Sequence, residues 1–299
     1  MKRRDFVQRG GIVLGAFLVS GNVLASSEKR SRKITILHTN DTHSNIDAFP
    51  SNHAKYPNQG GVAKRFELFQ KIKSEEENVI ILDAGDIFQG TPYFNMFGGV
   101  LEMKLMSELG YDVATMGNHD FDGGMDGFLK AKQHAKFPFV CANYDFSDTI
   151  LKDQLLQHVV LERNKMNIGV FGIGVELNGL VPDSKYGKTS YLDPIKTANE
   201  QAALLKKKGC DLIICLSHLG FEYTDNKVSD KVLASKTKNI HLILGGHTHT
   251  FLDKPFEAKN LEGETVLINQ AGYGGVQVGR LDFCCLEGGF VKNQVLVVK

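Results

Sequence analysis

Tryptophan is absent from the 299-residue chain, and no stretch reaches 18 consecutive apolar residues, so no ordinary membrane span is indicated. Neither sign of charge dominates, since 35 Lys and Arg stand against 34 Asp and Glu. That balance lacks the basic excess by which proteins hold polyanions, and it disfavours a nucleic-acid scaffold as partner. Cysteine is sparse and unpatterned. Cys141, Cys210, Cys215, Cys284 and Cys285 form no C-x-x-C pair, their number is odd, and no disulfide is assigned. The first three lie in or beside apolar runs and are expected to be buried small hydrophobes. No internal repeat or low-complexity linker divides the chain. What is present is apolar content: 42% hydrophobic against 23% charged residues excludes a disordered chain and supports a large core.

The first 25 residues read as an address. Lys2, Arg3, Arg4 and Arg9 form a basic stretch, residues 12–19 are apolar, and Val23-Leu24-Ala25 offers a peptidase site. Arg3-Arg4-Asp5-Phe6-Val7 resembles a twin-arginine export signal, which implies a periplasmic or otherwise exported protein. No Cys follows Ala25, so no lipid anchor is expected there. Residues 26–299 are expected to form one domain.

Short β-branched runs alternate with longer amphipathic ones. Strands are expected at 33–37, 79–82, 113–116, 137–142, 167–173, 212–216 and 241–244. Apolar residues recur at helical spacing in the sets Val62, Phe66, Phe69, Ile72; Leu101, Leu105, Leu109; and Ala198, Ala202, Leu205. Pro194 suits a first helical position and Gly209 follows a basic last turn. The class is α/β, with packed sheets covered by helices. From Glu264 three further strands joined by Gly-rich turns predict a C-terminal β-meander.

The informative residues follow the strands. Five apolar runs lead into Asp41-Thr42-His43, Gly85-Asp86, Gly117-Asn118-His119-Asp120, Ser217-His218 and Gly246-His247-Thr248-His249. The carboxyl ends of strands are where α/β sheets place ligand sites. Asp41 and His43, like His247 and His249, are two residues apart, so in extended backbone each pair points to one side and can grip one ion. Asp86 can bridge two cations with its two oxygens. Imidazole, carboxylate and amide oxygen suit Zn²⁺, Mn²⁺, Fe or Co²⁺ better than Ca²⁺, and the lack of a thiol argues against a closed structural zinc site. Ser217 beside His218 suggests a nucleophile, but no G-x-S-x-G elbow accompanies it. His38 is assigned to packing or support, His241 to structure, and His53, His134 and His158 to the surface.

These motifs, with Leu37-His38-Thr39-Asn40 and Gly60-Gly61-Val62-Ala63, resemble the calcineurin-like metallophosphoesterases, and within them the bacterial 5′-nucleotidase/UDP-sugar hydrolase branch. The resemblance runs from about residue 33 to 285. It implies a four-layer α-β-β-α sandwich of two mixed β-sheets flanked by helices, with two divalent metal ions (Zn, Mn, Mg or Co) between the sheet ends. Carried over, Asp41, His43, Asp86 and His249 hold one metal. Asp86, Asn118, His218 and His247 hold the other, with Asp86 bridging. His119 becomes the catalytic histidine and Asp122 its partner, while Asp120 stands where the branch often has Glu. The implied reaction is hydrolysis of a phosphate monoester, a 5′-nucleotide or related compound, by a hydroxide bridging the metals. Phosphodiesters and cyclic nucleotides are alternative substrates within the superfamily. Family 5′-nucleotidases continue into a second domain that supplies base-stacking aromatics and arginines. The expectation is therefore a catalytic half with little discrimination among bases, which a separate substrate-binding chain could complete through an apolar patch formed by Phe88, Tyr93, Phe94 and Phe97.

Overall fold

Runs rich in Ile, Val and Leu form strands, and the amphipathic segments between them form helices, in a computed structural model that describes residues 33–284 and 289–298. The expected export signal and Cys285 lie outside the described residues. In chain order the elements are β1 (Lys33–Thr39), α1 (Val62–Glu75), β2 (Val79–Asp83), α2 (Pro92–Phe97), α3 (Val100–Leu109), β3 (Val113–Ala114), α4 (Gly124–Lys132), β4 (Tyr144–Asp145), β5 (His158–Arg163), β6 (Met166–Gly174), α5 (Asp183–Tyr186), β7 (Ser190–Tyr191), α6 (Pro194–Lys207), β8 (Leu212–His218), α7 (Asp230–Ser235), β9 (Leu242–Gly245), β10 (Phe256–Lys259), β11 (Thr265–Asn269), β12 (Gln277–Cys284) and β13 (Gly289–Val297). A single 3-10 turn spans His119–Phe121.

Among the described residues one large sheet has the order β13-β12-β1-β2-β3 and a second the order β10-β11-β9-β8-β6-β5, while β4 and β7 form a separate two-stranded pair. Both large sheets are mixed. In the first, β1, β2 and β3 run parallel while β12 pairs antiparallel with β1 and with β13. In the second, β11, β9, β8 and β6 run parallel and the edge strands β10 and β5 are antiparallel. Strand alternation sorts the apolar residues into three cores. Ile34, Ile36, Ile80 and Leu82 of the first sheet meet Ile168, Val170, Ile214 and Leu216 of the second. Leu37 and Ile81 face outward onto Phe69, Met103, Met106 and Phe128 from the helices of one flank. Phe171, Ile213 and Cys215 face the other flank, onto Ala198, Ala202 and Leu205 of α6 and Leu233 of α7. Three cores separate four layers, helix-sheet-sheet-helix. Central strands are buried on both faces, which is why they read as near-continuous apolar runs. The α6 helix starts as its sequence predicts: Asp193 accepts a hydrogen bond from the Lys196 backbone N–H at 2.8 Å, and Pro194 follows.

The C-terminal β-meander is corrected. β12 and β13 pair antiparallel in the first sheet, but β11 runs parallel to β9 in the second. The segment between β11 and β12 crosses from one sheet to the other, turning at Gly272, Gly274 and Gly275, whose φ angles are 73°, 66° and 63°. Periodicity shows that a segment is a strand, not which sheet it joins. The strand expected at 137–142 is reduced to bridges at Phe139 and Val140. His158 lies in strand β5 and meets Gln201 at 2.7 Å. Phe66, read as part of an apolar helix face, is 41% exposed. The expected aromatic patch shrinks: Phe88 is buried and stacked on Phe94, which leaves Phe97 and its neighbour Met96 exposed. Cys141, Cys210, Cys215 and Cys284 are free and buried. Among the described residues no helix is long and apolar enough to cross a membrane.

His38 of β1 is fully buried, with its Nε2 accepting from Asn269 Nδ2 at 3.0 Å. Burial lowers its pKa from 6.5 to about 3. Between those values the unfolded chain holds the proton and the folded one does not, so this residue costs stability progressively as the pH falls through that window. Urea titrations of the parent and of His38→Asn should therefore give a stability difference that shifts in favour of the variant as the medium is acidified. A difference independent of pH would show that His38 is not held neutral.

Candidate metal centre

Each ligand-type side chain sits just beyond, or at, the carboxyl end of a strand in the parallel part of its sheet. Asp41 and His43 follow β1, Asp86 follows β2, Asn118 and His119 follow β3, His218 ends β8, and His247 and His249 follow β9. The two sheets thus aim their loops at one place. The local backbone is not extended, contrary to the reading of the two-residue spacings. Asp41, His43, Asp86, His247 and His249 have φ of 49°, 47°, 55°, 74° and 51°. These residues occupy tight turns after the strand ends, in the left-handed region that L side chains seldom adopt.

The turns bring together two groups whose ligand atoms lie within 4.8 Å of one another: Asp41, His43 and His249, and Asp86, His218 and His247. His247 and His249 therefore belong to different groups. His43 Nε2 and His249 Nε2 face each other at 3.0 Å, and both stand near Asp41 Oδ1, at 3.8 and 3.3 Å. Asp86 lies between the groups, with its Oδ2 3.1 Å from His218 Nε2 and 3.9 Å from His43 Nε2. Two neighbours are glycine for want of room: a Cβ on Gly117 would collide with the Asp86 carboxylate and the His218 ring, and one on Gly246 would sit 2.8 Å from His218 Nδ1.

Asn118 Oδ1 is buried with no hydrogen-bond partner among the described residues, and buried His218 Nε2 faces the Asp86 carboxylate at 3.1 Å. The His218 Nδ1–H donates to the Ala84 carbonyl at 2.7 Å, which turns Nε2 toward Asp86. An unpartnered buried acceptor such as Asn118 Oδ1 is costly, and a cation is a partner that an amide oxygen and an imidazole nitrogen can share. Charge points the same way. Burial lowers the His218 pKa, but Asp86 and then Asp41 outweigh it and carry the pKa up to about 10. Burial, joined by the neighbouring His218, depresses His247 to about 4. The centre thus has negative charge to spare on Asp86 and Asp41.

His119 stands apart from both groups. Its Nδ1 meets Asp122 Oδ2 at 2.9 Å, its side chain is 38% exposed, and its ring lies edge-on to His43 at 5.3 Å. Burial lowers its pKa, but the carboxylates of Asp86 and Asp122 reverse the sign, and the net shift is upward.

Residues 34–251 match the model of the calcineurin-like phosphoesterase family. The chain belongs to that family. It is 31% identical over 273 residues to the snake venom 5′-nucleotidase of Gloydius brevicauda, covering 84% of this chain and 45% of the relative. Among solved structures it is similar to a 5′-nucleotidase precursor from Thermus thermophilus, with TM-score 0.79, 32% identity and 89% of this chain matched to 54% of the other. The NAD nucleotidase of Haemophilus influenzae gives TM-score 0.79 and 28% identity, with 90% of this chain matched to 56% of that one. The chain thus spans about half the length of these relatives.

In this family member three buried polar side chains that sequence reasoning passed over hold the turns in place. Asp120, noted only as a departure, accepts from the backbone N–H groups of Asp86, Ile87, Phe88 and Gly117 at 2.8–3.2 Å. Asn40 donates to Asp41 Oδ2 and to the Gly272 carbonyl, each at 2.6 Å. Gln270 donates to the Gly246 carbonyl and accepts from the Thr250 N–H. Asn40 and Asp120 adjoin the site motifs in the sequence, which was their only signal; Gln270 lies far from any of them and had none. Ser217 is buried and donates to Asp230 at 2.5 Å, away from any nucleophilic role. Tyr273, also unforeseen, stacks on His249 at 5.1 Å.

Only a carboxylate offers acceptors alone to those four N–H groups. Asp120→Asn should leave the fold intact and weaken binding of Mn²⁺ roughly 10–100-fold by calorimetry, the usual weight of a residue that supports metal ligands. Unchanged affinity would mean that the turns need no such clamp.

Proposed function

We propose that this chain is a metal-dependent phosphohydrolase of phosphate monoesters, with 5′-nucleotides or related compounds as substrates. The observation that carries the reading is the place of Asp86, one carboxylate between two imidazole-rich groups. Asp41, His43 and His249, together with Asp86, would hold one divalent cation; Asp86, Asn118, His218 and His247 would hold the second. The donor set and the unpartnered Asn118 Oδ1 fit such ions, of the Zn, Mn, Mg or Co kind. When bound, a pair of cations supplies the charge that acidifies a water and neutralises phosphate oxygens. The chain's own part is orientation and proton control. Asp122 fixes the His119 ring through Nδ1 and favours its cationic form, so Nε2–H is left to stabilise charge on the phosphate or to protonate the leaving oxygen. The 5′-nucleotidases among the relatives support the nucleotide class.

Elemental analysis and turnover of p-nitrophenyl phosphate test the assignment together. Asp86→Ala should lose both ions. His119→Ala should keep both and turn over about 10²–10⁴-fold more slowly. Two ions retained by Asp86→Ala, or full turnover by His119→Ala, would refute the respective role.

Export is part of the proposal, supported by Arg3-Arg4-Asp5-Phe6-Val7 and the apolar stretch after it. Replacing Arg3 and Arg4 by Lys should trap the protein in the cytoplasm, as cell fractionation would show; normal export would remove the twin-arginine reading. A separate substrate-binding chain is likewise proposed, on the small apolar face that exposes Met96 and Phe97.

A further inference from the structure

A cavity of about 550 Å³ opens beside His247, a member of the second His/Asp group. That is the usual size of a small-molecule site. Its walls combine apolar Leu180, Leu219 and Val228 with Glu176, Asn178 and Asn226. Two tyrosines, Tyr191 and Tyr223, complete it. The frame is braced: the Tyr223 hydroxyl donates to the Leu219 carbonyl at 2.6 Å, and Tyr191 packs against Tyr144 at 6.1 Å.

The chemistry of these walls selects a ligand. One carboxylate and two amides offer acceptors and donors in the mixture that hydroxyl groups need, since each hydroxyl both gives and takes. Tyrosine faces and Leu, Val side chains suit the C–H faces of a ring. Among the described residues Lys227 is the one Lys or Arg on the lining, and Glu176 stands on the same lining, so a second anionic group is not what the cavity receives.

We propose that this cavity is a pocket for the polyhydroxylated part of the substrate, a sugar either alone or as part of a nucleoside, built entirely from this chain. The proposal rests on the phosphohydrolase reading for the identity of the group bound next door, and on the cavity alone for the sugar. It adds to the sequence expectation a selectivity that owes nothing to a further domain. It also agrees with weak discrimination among bases, because the polar groups on its walls address hydroxyls.

The test uses the full chain with Mn²⁺. Asn178→Ala/Asn226→Ala removes two hydroxyl partners at exposed positions, and Leu180→Trp fills the cavity from a half-exposed position. For both variants, kcat/KM for ribose 5-phosphate and for AMP should fall at least 10-fold relative to kcat/KM for p-nitrophenyl phosphate, whose leaving group carries no hydroxyl. A relative fall for both substrates assigns the pocket to the sugar itself; a fall for AMP alone assigns it to the nucleoside. Unchanged ratios overturn the proposal. Adenosine binding, followed by ligand-observed NMR, is the second readout. It should be present in the parent and lost in Leu180→Trp. Absence from the parent, or equal binding by both, overturns the pocket even if no ester is hydrolysed. Failure of every ester in the parent, with adenosine binding intact, would strike the phosphohydrolase reading and leave the pocket standing.

Discussion

Two buried carboxylates, Asp41 and Asp86, set close together among imidazoles, are the constraint that organises this molecule. Each is essentially inaccessible to water. An ionised group in such a place is tolerable only with compensating partners. Backbone N–H groups supply part of that compensation: His247 donates to Asp41 at 3.0 Å and His119 to Asp86 at 2.8 Å. The imidazoles supply another part, to the extent that His218 is drawn strongly toward its protonated form. A pair of divalent cations would complete the balance and release the histidines as neutral donors.

That arrangement is held against conformational cost. Five residues of the centre occupy left-handed backbone, a cost of about 1–3 kcal/mol each that the surrounding structure must offset. The offset comes from loops that bind one another. Asp41 N–H donates to Gly85 O, His43 N–H to Asp86 O, and Gly274 N–H to Asp41 O. Beneath them Asp120, Asn40 and Gln270 collect the remaining polar groups. Behind these lie two mixed sheets whose buried apolar strands leave little freedom for their ends to move. Sheet packing therefore fixes the turns, the turns fix the side chains, and the side chains create a site that calls for cations.

Much of this was legible in the chain. Ile34, Ile36, Ile80 and Leu82 announce buried strands, and the acidic, amide and histidine residues after five such strands announce a shared site. What was hidden depends on partners distant in sequence. β5 and β10 are edge strands with exposed or half-buried side chains, so their apolar content is short and mixed with charged residues. β11 looks like its C-terminal neighbours yet joins the other sheet. The separation of His247 from His249, which the family resemblance implied, runs against the two-residue spacing because both residues sit in left-handed turns. Asp120 reads as a ligand-like acid next to a catalytic motif, and only the folded loops show four N–H groups converging on it. Phe88 reads as rim and proves to be core, because Gly99 leaves space for its ring.

The central claim is that one carboxylate is shared by two cations. Anomalous diffraction from crystals grown with Mn²⁺ tests it directly. The account predicts two peaks about 3.5–4 Å apart, with the Asp86 carboxylate between them, one peak beside His43 and His249 and the other beside His218 and His247. A single peak, or two peaks that do not share Asp86, would contradict it.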